Sequence, residues 1–314
     1  MSFFDSNSPP ARLTNSAKYL VVIAGPTAVG KTDVAIKLAT HFKSEIISAD
    51  SRQFYREMSI GTAKPDQDQL KSIKHHFIGQ LSISDYFNVS VFENEVIKLL
   101  KNLFINTNII FLVGGSGLYI DAVCKGIDEL PDPEEELRED IKQLFAKEGI
   151  EALRSQLKIL DPVYYQEVDL ANPKRIMRAL EVCLTTGKPY SSLRVNQQSP
   201  RTFNIIKIGL TRERETLYDI INHRVDVMMD MGLLNEVKGL LPFKELNALN
   251  TVGYKELFAY LAEECSLTEA IEKIKTNSRR YAKRQLTWFR RYDDITWFDA
   301  NQEVEIVDYL KNVV

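Results

Sequence analysis

Gly25-Pro26-Thr27-Ala28-Val29-Gly30-Lys31-Thr32 constrains this chain more than any other stretch. It satisfies the phosphate-loop pattern G-x-x-x-x-G-K-[ST] at every fixed position. Its flanks agree. Tyr19-Leu20-Val21-Val22-Ile23-Ala24 reads as a buried strand, and Thr32 to Phe42 reads as a helix with apolar positions at Val34, Ile36, Leu38 and Ala39. A strand, a tight loop and a helix N-terminus form an anion cradle, because free backbone N–H groups and the positive end of the helix dipole point at one spot. Lys31 adds a point charge for terminal phosphate oxygens, and the Thr32 hydroxyl is the expected Mg²⁺ ligand. The chain is therefore expected to bind a diphosphate or polyphosphate.

The rest of the first part alternates strand and helix. Glu45-Ile46-Ile47-Ser48-Ala49-Asp50 is a short apolar run ending in an acid, and Phe92 to Phe104 reads as a helix. Asn108 to Val113 is a second buried strand, closed by Gly114-Gly115-Ser116-Gly117. Such alternation predicts an α/β fold, a P-loop parallel sheet flanked by helices on both faces. From Asp128 to Ser199 no strand of this type occurs. Pro131 and Pro133 start a charged helical stretch, Glu134 to Lys147. Asn172-Pro173 marks a second helix start, and Gly187 the end of the helix from Lys174 to Thr186. The predicted organisation is a loose tail over 1–17, a core made of 18–127 and 200–314, and an inserted all-helical domain over 128–199. Asn204 to Leu210 is expected to rejoin the sheet, with mostly helix after it, broken at Gly232 and Gly253.

Three cysteines, spaced far apart, and four histidines form no zinc pattern or disulfide framework. With no apparent signal peptide or membrane-length apolar run, the expected setting is the cytoplasm, and the expected state a monomer. A net charge of −3 over 314 residues confines any nucleic-acid site to a local patch. The adjacent histidines His75-His76 are expected to pack or hydrogen bond.

Sites of open α/β sheets lie beyond the carboxyl ends of the strands. The phosphate loop, Asp50-Ser51-Arg52-Gln53 and Gly114–Gly117 are expected to converge there. Asp50 is placed to accept a proton or hydrogen bond from a substrate near bound phosphate; the same position also suits a cap on the following turn or a water-mediated Mg²⁺ ligand. The glycines allow a close backbone approach, and Ser116 offers a hydroxyl. The long second strand ends in glycine, not in the Walker-B acid of a typical P-loop NTPase, which disfavours a motor or switch. A basic segment, Arg279, Arg280, Lys283, Arg284, Arg290 and Arg291, has no acid within it and is interleaved with Tyr281, Trp288 and Phe289. On a helix Arg280, Arg284 and Arg291 would share one face, and Tyr281 and Trp288 another. These residues alone leave open a P-loop kinase of a small metabolite and a nucleotide-regulated RNA-binding module without catalysis.

The ordered motifs resemble those of the bacterial-type tRNA dimethylallyltransferases, also called tRNA isopentenyltransferases. The similarity runs from Tyr19 to Arg291. It rests on GPTAVGKT at 25–32, DSRQFYREMSIGTAKP at 50–65, HHFI at 75–78, VGGSGLY at 113–119, NPKRIMRALEV at 172–182, MGLLNEV at 231–237, VGYKE at 252–256 and YAKRQLTWFR at 281–290. The resemblance implies Mg²⁺-assisted transfer of a dimethylallyl group from dimethylallyl diphosphate to the exocyclic amine of the adenosine 3′ of the anticodon. The loop would hold the leaving diphosphate, with ATP as the other ligand a P-loop of this kind accepts. Asp50 would contact the target amine as general base, and Lys31 and Arg224 would reach the diphosphate. Ser116 stands where the family usually has threonine and keeps the hydroxyl. For tRNA the resemblance points to Asp50, Ser51, Arg52, Gln53, Ser116, Arg138, Lys174, Arg175, Ile176, Met177 and Arg178, to the stretch Asn250–Lys255, and to Arg280, Lys283 and Arg284 in the basic segment. Lys174 replaces the glutamine of many members. An ammonium does not accept hydrogen bonds as a glutamine carbonyl can, so the resemblance does not carry that residue's base-reading role to Lys174, and phosphate contact stays open to it.

Overall fold

The computed structural model describes residues 17–128, 130–132, 134–194 and 199–314. The anticipated tail, apart from residue 17, and Pro133 lie outside the described residues. In chain order the elements are β1 (Tyr19–Ala24), α1 (Lys31–His41), β2 (Ile46–Ser48), α2 (Gln67–Ser72), β3 (His75–His76), α3 (Val89–Leu103), β4 (Ile109–Gly114) and α4 (Gly117–Lys125). A helical stretch follows, α5 (Glu135–Glu148), α6 (Ile150–Leu160), α7 (Pro162–Glu167), α8 (Pro173–Thr186) and α9 (Tyr190–Leu193). Then come β5 (Asn204–Thr211), α10 (Arg214–Asp230), α11 (Leu233–Gly239), α12 (Tyr254–Leu261), α13 (Leu267–Phe289), β6 (Ile295–Asp299) and α14 (Glu303–Val313). Two compact units result: one of the chain up to Cys124 with Arg201–Val314, the other Lys125–Pro200. Among the described residues no helix is long and apolar enough to cross a membrane.

The first unit is built on a six-stranded, all-parallel sheet of order β3-β2-β4-β1-β5-β6. β1 lies at its centre, with Ala24 opposite Gly114 of β4 and Gly209 of β5. That position explains its unbroken apolar run, since a central parallel strand is covered on both faces. Val21 and Ile23 join Leu38, Phe111, Ile208, Leu217 and Ile306 on one face. Leu20, Val22 and Ala24 join Phe54, Phe92, Ile110, Leu112 and Phe289 on the other. Phe54 anchors the segment after β2: it is 1% exposed and stacks on Phe92 of α3 with centroids 5.3 Å apart. Truncating such a ring to alanine costs about 3–5 kcal/mol.

α3 starts three residues before Phe92, because the Asn88 side chain accepts the Val91 N–H at 2.9 Å and caps it. Two strands escape the sequence reading. β3 is a two-residue edge, and β6 is a half-exposed edge strand inside a stretch read as mostly helix. His75 bonds the Ile73 carbonyl through Nδ1 (2.8 Å), and His76 Nε2 pairs with Glu45 (2.6 Å).

The second unit packs α5, α6, α7 and α8 around Ile141, Leu153, Leu157, Tyr164, Ile176 and Leu180. Asn172 caps α8 by accepting the Arg175 N–H, Pro173 occupies its first turn, and Gly187 ends it at φ 65°. The Asp161 carboxylate is fully buried and satisfied: it accepts the Tyr164 N–H (2.9 Å), the Ser191 N–H (2.6 Å) and the Ser191 hydroxyl (2.7 Å).

Candidate active site

Gly25–Thr32 lies between β1 and α1, as a phosphate loop requires. Gly30 caps α1 at φ 104°, a conformation that side chains rarely adopt. Lys31 Nζ turns back to donate to the Pro26 carbonyl at 2.7 Å. Burial pushes the Lys31 ammonium down to about 8; Asp50 opposes that fall and Arg224 adds to it. Arg212, just past β5, props the loop from outside. Its Nε donates to the Val29 carbonyl (3.0 Å) and its Nη1 to Asn301 (3.0 Å).

The parallel pairing of β2 with β4 brings the Asp50 segment beside Gly114–Gly117. Ala49 N–H donates to the Val113 carbonyl (2.7 Å), and Ser116 N–H to the Ala49 carbonyl (3.3 Å). The Ser116 hydroxyl accepts the Ser51 N–H at 3.1 Å. Asp50 Oδ1 accepts the Arg52 N–H at 3.0 Å, which orients the carboxylate. Arg224, on α10, donates to Thr27 Oγ1 at 3.3 Å; burial holds its pKa down while Asp50 supports its charge. Tyr281, on α13, leaves 36% of its surface exposed, but its hydroxyl hydrogen bonds at Ser116 inside the site. Burial and then Asp50 push that hydroxyl up to about 12. The candidate catalytic residues Lys31, Asp50, Ser116 and Arg224 are thus drawn together from four separate segments.

Two clefts meet at this group. One, of about 730 Å³, is lined by Gly30, Lys31 and Thr32 and by the apolar Ile220, Val227, Met228 and Met231. The other, of about 400 Å³, is lined by Ser51, Arg52, Asn250–Gly253, Lys255 and Arg284. Thr27, Asp50, Arg224, Met228 and Tyr281 line both. The arrangement suits a reaction in which an anion with an apolar tail enters from one side and a proton-bearing acceptor from the other.

Several expected binding residues have partners within the protein. Ile176 is fully buried in the helical unit, so it packs and offers no surface to a ligand. Arg138 (3.2 Å) and Arg178 (3.4 Å) converge on the buried Glu181, which makes them a charge-satisfying set for that carboxylate. Met177 is partly buried against the same core. Lys174 and Arg175 are exposed, as are Arg280, Lys283 and Arg284. Gln53 turns inward and donates to the carbonyls of Thr62 and Ala63 (3.2 and 3.1 Å), while Arg52 Nη1 reaches the Asn247 carbonyl. Arg291 lies beyond α13, stacked 3.7 Å over Trp288 and paired with Asp121 at 2.8 Å. It therefore shares no face with Arg280 and Arg284. The tight glycines admit the protein's own groups. A Cβ at Gly114 would lie 2.2 Å from the Ala49 carbonyl oxygen, at Gly115 2.1 Å from Gln285 Nε2, and at Gly117 2.1 Å from Trp288 Nε1.

Three supporting groups escaped sequence reasoning. Glu236 accepts the N–H groups of Ser59, Ile60 and Gly61 (2.9, 2.8 and 3.0 Å) and the Tyr254 hydroxyl (2.6 Å), and so holds the IGTAKP segment. Asp121 accepts from Trp288 Nε1, Arg291 and the Tyr292 hydroxyl. Gln285 joins the phosphate loop to the Gly115 carbonyl. Each lies within or near a quoted motif, but an isolated acid or amide in a helical pattern carries no signal of its partner.

The family model for IPP transferase matches residues 53–292. The chain is 52% identical to tRNA dimethylallyltransferase 1 of Bacteroides thetaiotaomicron over 93% of its own length and 95% of that protein. It is 50% identical to the tRNA dimethylallyltransferase of Christiangramia forsetii over 95% and 99%. Among solved structures it is similar to the full-length tRNA isopentenylpyrophosphate transferase of Bacillus halodurans, with TM-score 0.70 and 38% identity over 94% and 96% of the two chains. It is also similar to a eukaryotic dimethylallyltransferase acting on tRNA, with TM-score 0.77 and 26% identity over 94% and 80%. The chain belongs to the IPP transferase family.

Proposed function

We propose that this protein is a tRNA dimethylallyltransferase. It moves a dimethylallyl group from dimethylallyl diphosphate to N6 of the adenosine 3′ of the anticodon and releases diphosphate. One observation carries the mechanism: Asp50 lies on the wall common to both clefts, where its charge supports those of Lys31 and Arg224. The diphosphate sits on Gly25–Thr32, where loop N–H groups, Lys31 and Arg224 face its oxygens. The apolar tail lies toward Met228, Val227 and Ile220. The acceptor base, flipped from its stack, enters by the cleft lined with Arg284 and Lys255.

N6 attacks the allylic carbon C1, the N–C bond forms, and the C1–O bond breaks. Diphosphate keeps that electron pair, and the N6 proton passes to Asp50. A positioned base contributes about 10²–10⁴-fold. Each preorganised donor facing the departing oxygens is worth about 3–4 kcal/mol. Ser116 places its hydroxyl beside Ser51 at the same strand ends, and the role we assign to it is a hydrogen bond to the bridging oxygen of the donor.

Mg²⁺ fits Thr32. Thr32 stands in the first turn of α1 and lines the loop cleft with Asp33 and Asp50. Among the described residues no cluster of three or more His, Cys, Asp or Glu could cage a metal. An ion there would be held by one or two protein oxygens and completed by substrate phosphate and water. Bound there, it would neutralise charge developing on the diphosphate. Arg280, Lys283 and Arg284, with Lys174 and Arg175 of the helical unit, supply the phosphate contacts for tRNA.

Incubation with labelled dimethylallyl diphosphate, Mg²⁺ and unmodified tRNA is expected to label the tRNA, with ATP included as a competitor for the loop. Absence of transfer to a competent tRNA preparation would overturn the assignment.

A further inference from the structure

Tyr281, Gln285 and Trp288 stand at i, i+4 and i+7 on α13, on one helix face. They meet three consecutive residues where β4 passes into α4: Tyr281 at Ser116, Gln285 at Gly115 and Trp288 at Gly117. Gln285 is 6% exposed, and both ends of its amide are bonded. Nε2 donates to the Gly115 carbonyl at 3.0 Å, and Oε1 accepts the Thr27 N–H at 2.8 Å. The amide has one workable orientation, because a backbone N–H only donates and a carbonyl only accepts.

The Thr27 N–H belongs to the peptide unit between Pro26 and Thr27. The carbonyl of that same unit accepts from Lys31 Nζ at 2.7 Å. A trans peptide is planar, with its N–H and C=O pointing in opposite directions. Gln285 holds one end of this plane and Lys31 the other. The Thr27 side chain in turn accepts from Arg224.

We propose that Gln285 is a positioning residue for diphosphate departure. It fixes the Pro26–Thr27 peptide and so sets the seats of Lys31 and Arg224 relative to the Gly115–Ser116 loop. It also ties those cations to the helix that displays Lys283 and Arg284. This inference rests on the prenyl-transfer reading above.

The test uses two variants. Gln285→Met keeps the volume and removes both hydrogen bonds. Gln285→Glu keeps the shape; when ionised it only accepts and faces the Gly115 carbonyl, and when protonated it reproduces the amide's one donor and one acceptor. Burial favours the protonated form. Lys31, Asp50, Arg224 and Tyr281 line the same cleft, so each variant is read as a ratio to the unmodified protein at every pH. Gln285→Met is expected to lower kcat about 10²-fold at all pH values, the scale of a misplaced catalytic group. Donor KM should change less, and tRNA retention on filters should be kept. The Gln285→Glu ratio should climb as pH falls from about 8 to about 6.

Unchanged kcat in folded Gln285→Met, or a flat Gln285→Glu ratio, would overturn the inference. Loss of tRNA binding and of the thermal transition in both variants would assign Gln285 to folding alone, which also overturns it. Failure of the unmodified protein to label tRNA would instead sink the prenyl-transfer reading.

Discussion

Asp50→Asn separates the chemistry at this site from its architecture. Asn keeps an oxygen for the Arg52 N–H that Asp50 Oδ1 accepts at 3.0 Å, so the turn after β2 survives. The proton acceptor and the negative charge are lost. Removing a positioned base predicts a fall in kcat of about 10²–10⁴-fold, or about 3–5 kcal/mol of transition-state stabilisation. A second effect follows from the charge. Lys31 sits at about 8, pressed down by burial and supported by Asp50. Without Asp50 the ammonium loses that support and deprotonates at lower pH. The pH profile of kcat/KM for the donor reports the free protein, so its alkaline limb should move to lower pH in the variant. The assay is label transfer to tRNA at several pH values, with donor concentration varied at each. Undiminished kcat would refute Asp50 as the base. An alkaline limb that stays in place would refute the electrostatic link between Asp50 and Lys31.

Three further outcomes test other parts of the structure. Lys31→Met should abolish turnover yet raise Tm near neutral pH. The folded-state pKa lies below the unfolded value of 10.5, so the charged lysine destabilises the fold below about 8 and that penalty disappears between about 8 and 10.5. A Tm gain that persists at higher pH would contradict this. Gly117→Ala places a Cβ 2.1 Å from Trp288 Nε1, displaces the ring from Asp121, and should cost about 1–3 kcal/mol in denaturant unfolding; an unaltered midpoint would show that α13 shifts freely. The double change Lys283→Glu with Arg284→Glu should weaken tRNA binding and reduce its salt dependence by about one unit of slope per lost phosphate contact. Donor KM measured at saturating tRNA should stay unchanged, and an unaltered salt slope would remove these residues from the tRNA surface.

The parts of the site legible in the sequence are those whose function needs contiguous residues. The phosphate loop is one, because its anion cradle is made of successive backbone N–H groups between a strand and a helix. Asp50 is another, because an apolar run ending in an acid places that acid at the carboxyl edge of a parallel sheet. The basic residues of α13 were visible as a charge run, but their partners were not. Arg291 looks equivalent to Arg284 in sequence; only the packing of α4 against α13 shows it held by Asp121 and Trp288. Ile176 stands among cations in NPKRIMRALEV and shared their expected role until helix periodicity, realised in three dimensions, turned it into the core. β6 was missed because an edge strand is half-exposed and carries no continuous apolar run.

The amino-acid sequence by itself determined the fold class, the phosphate loop and, through its ordered motifs, the family resemblance. These depend on local periodicity and on residues adjacent along the chain. Tertiary structure alone decided what each motif does for its neighbours: that the glycines of 114–117 admit Ala49, Gln285 and Trp288, that Glu236 gathers three N–H groups of another segment, and that one peptide plane of the loop is gripped from a helix 258 residues away. Hydrogen bonds between distant segments have no periodicity to betray them. They exist only once the parallel sheet has brought the ends of β1, β2 and β4 together and α13 has packed across them.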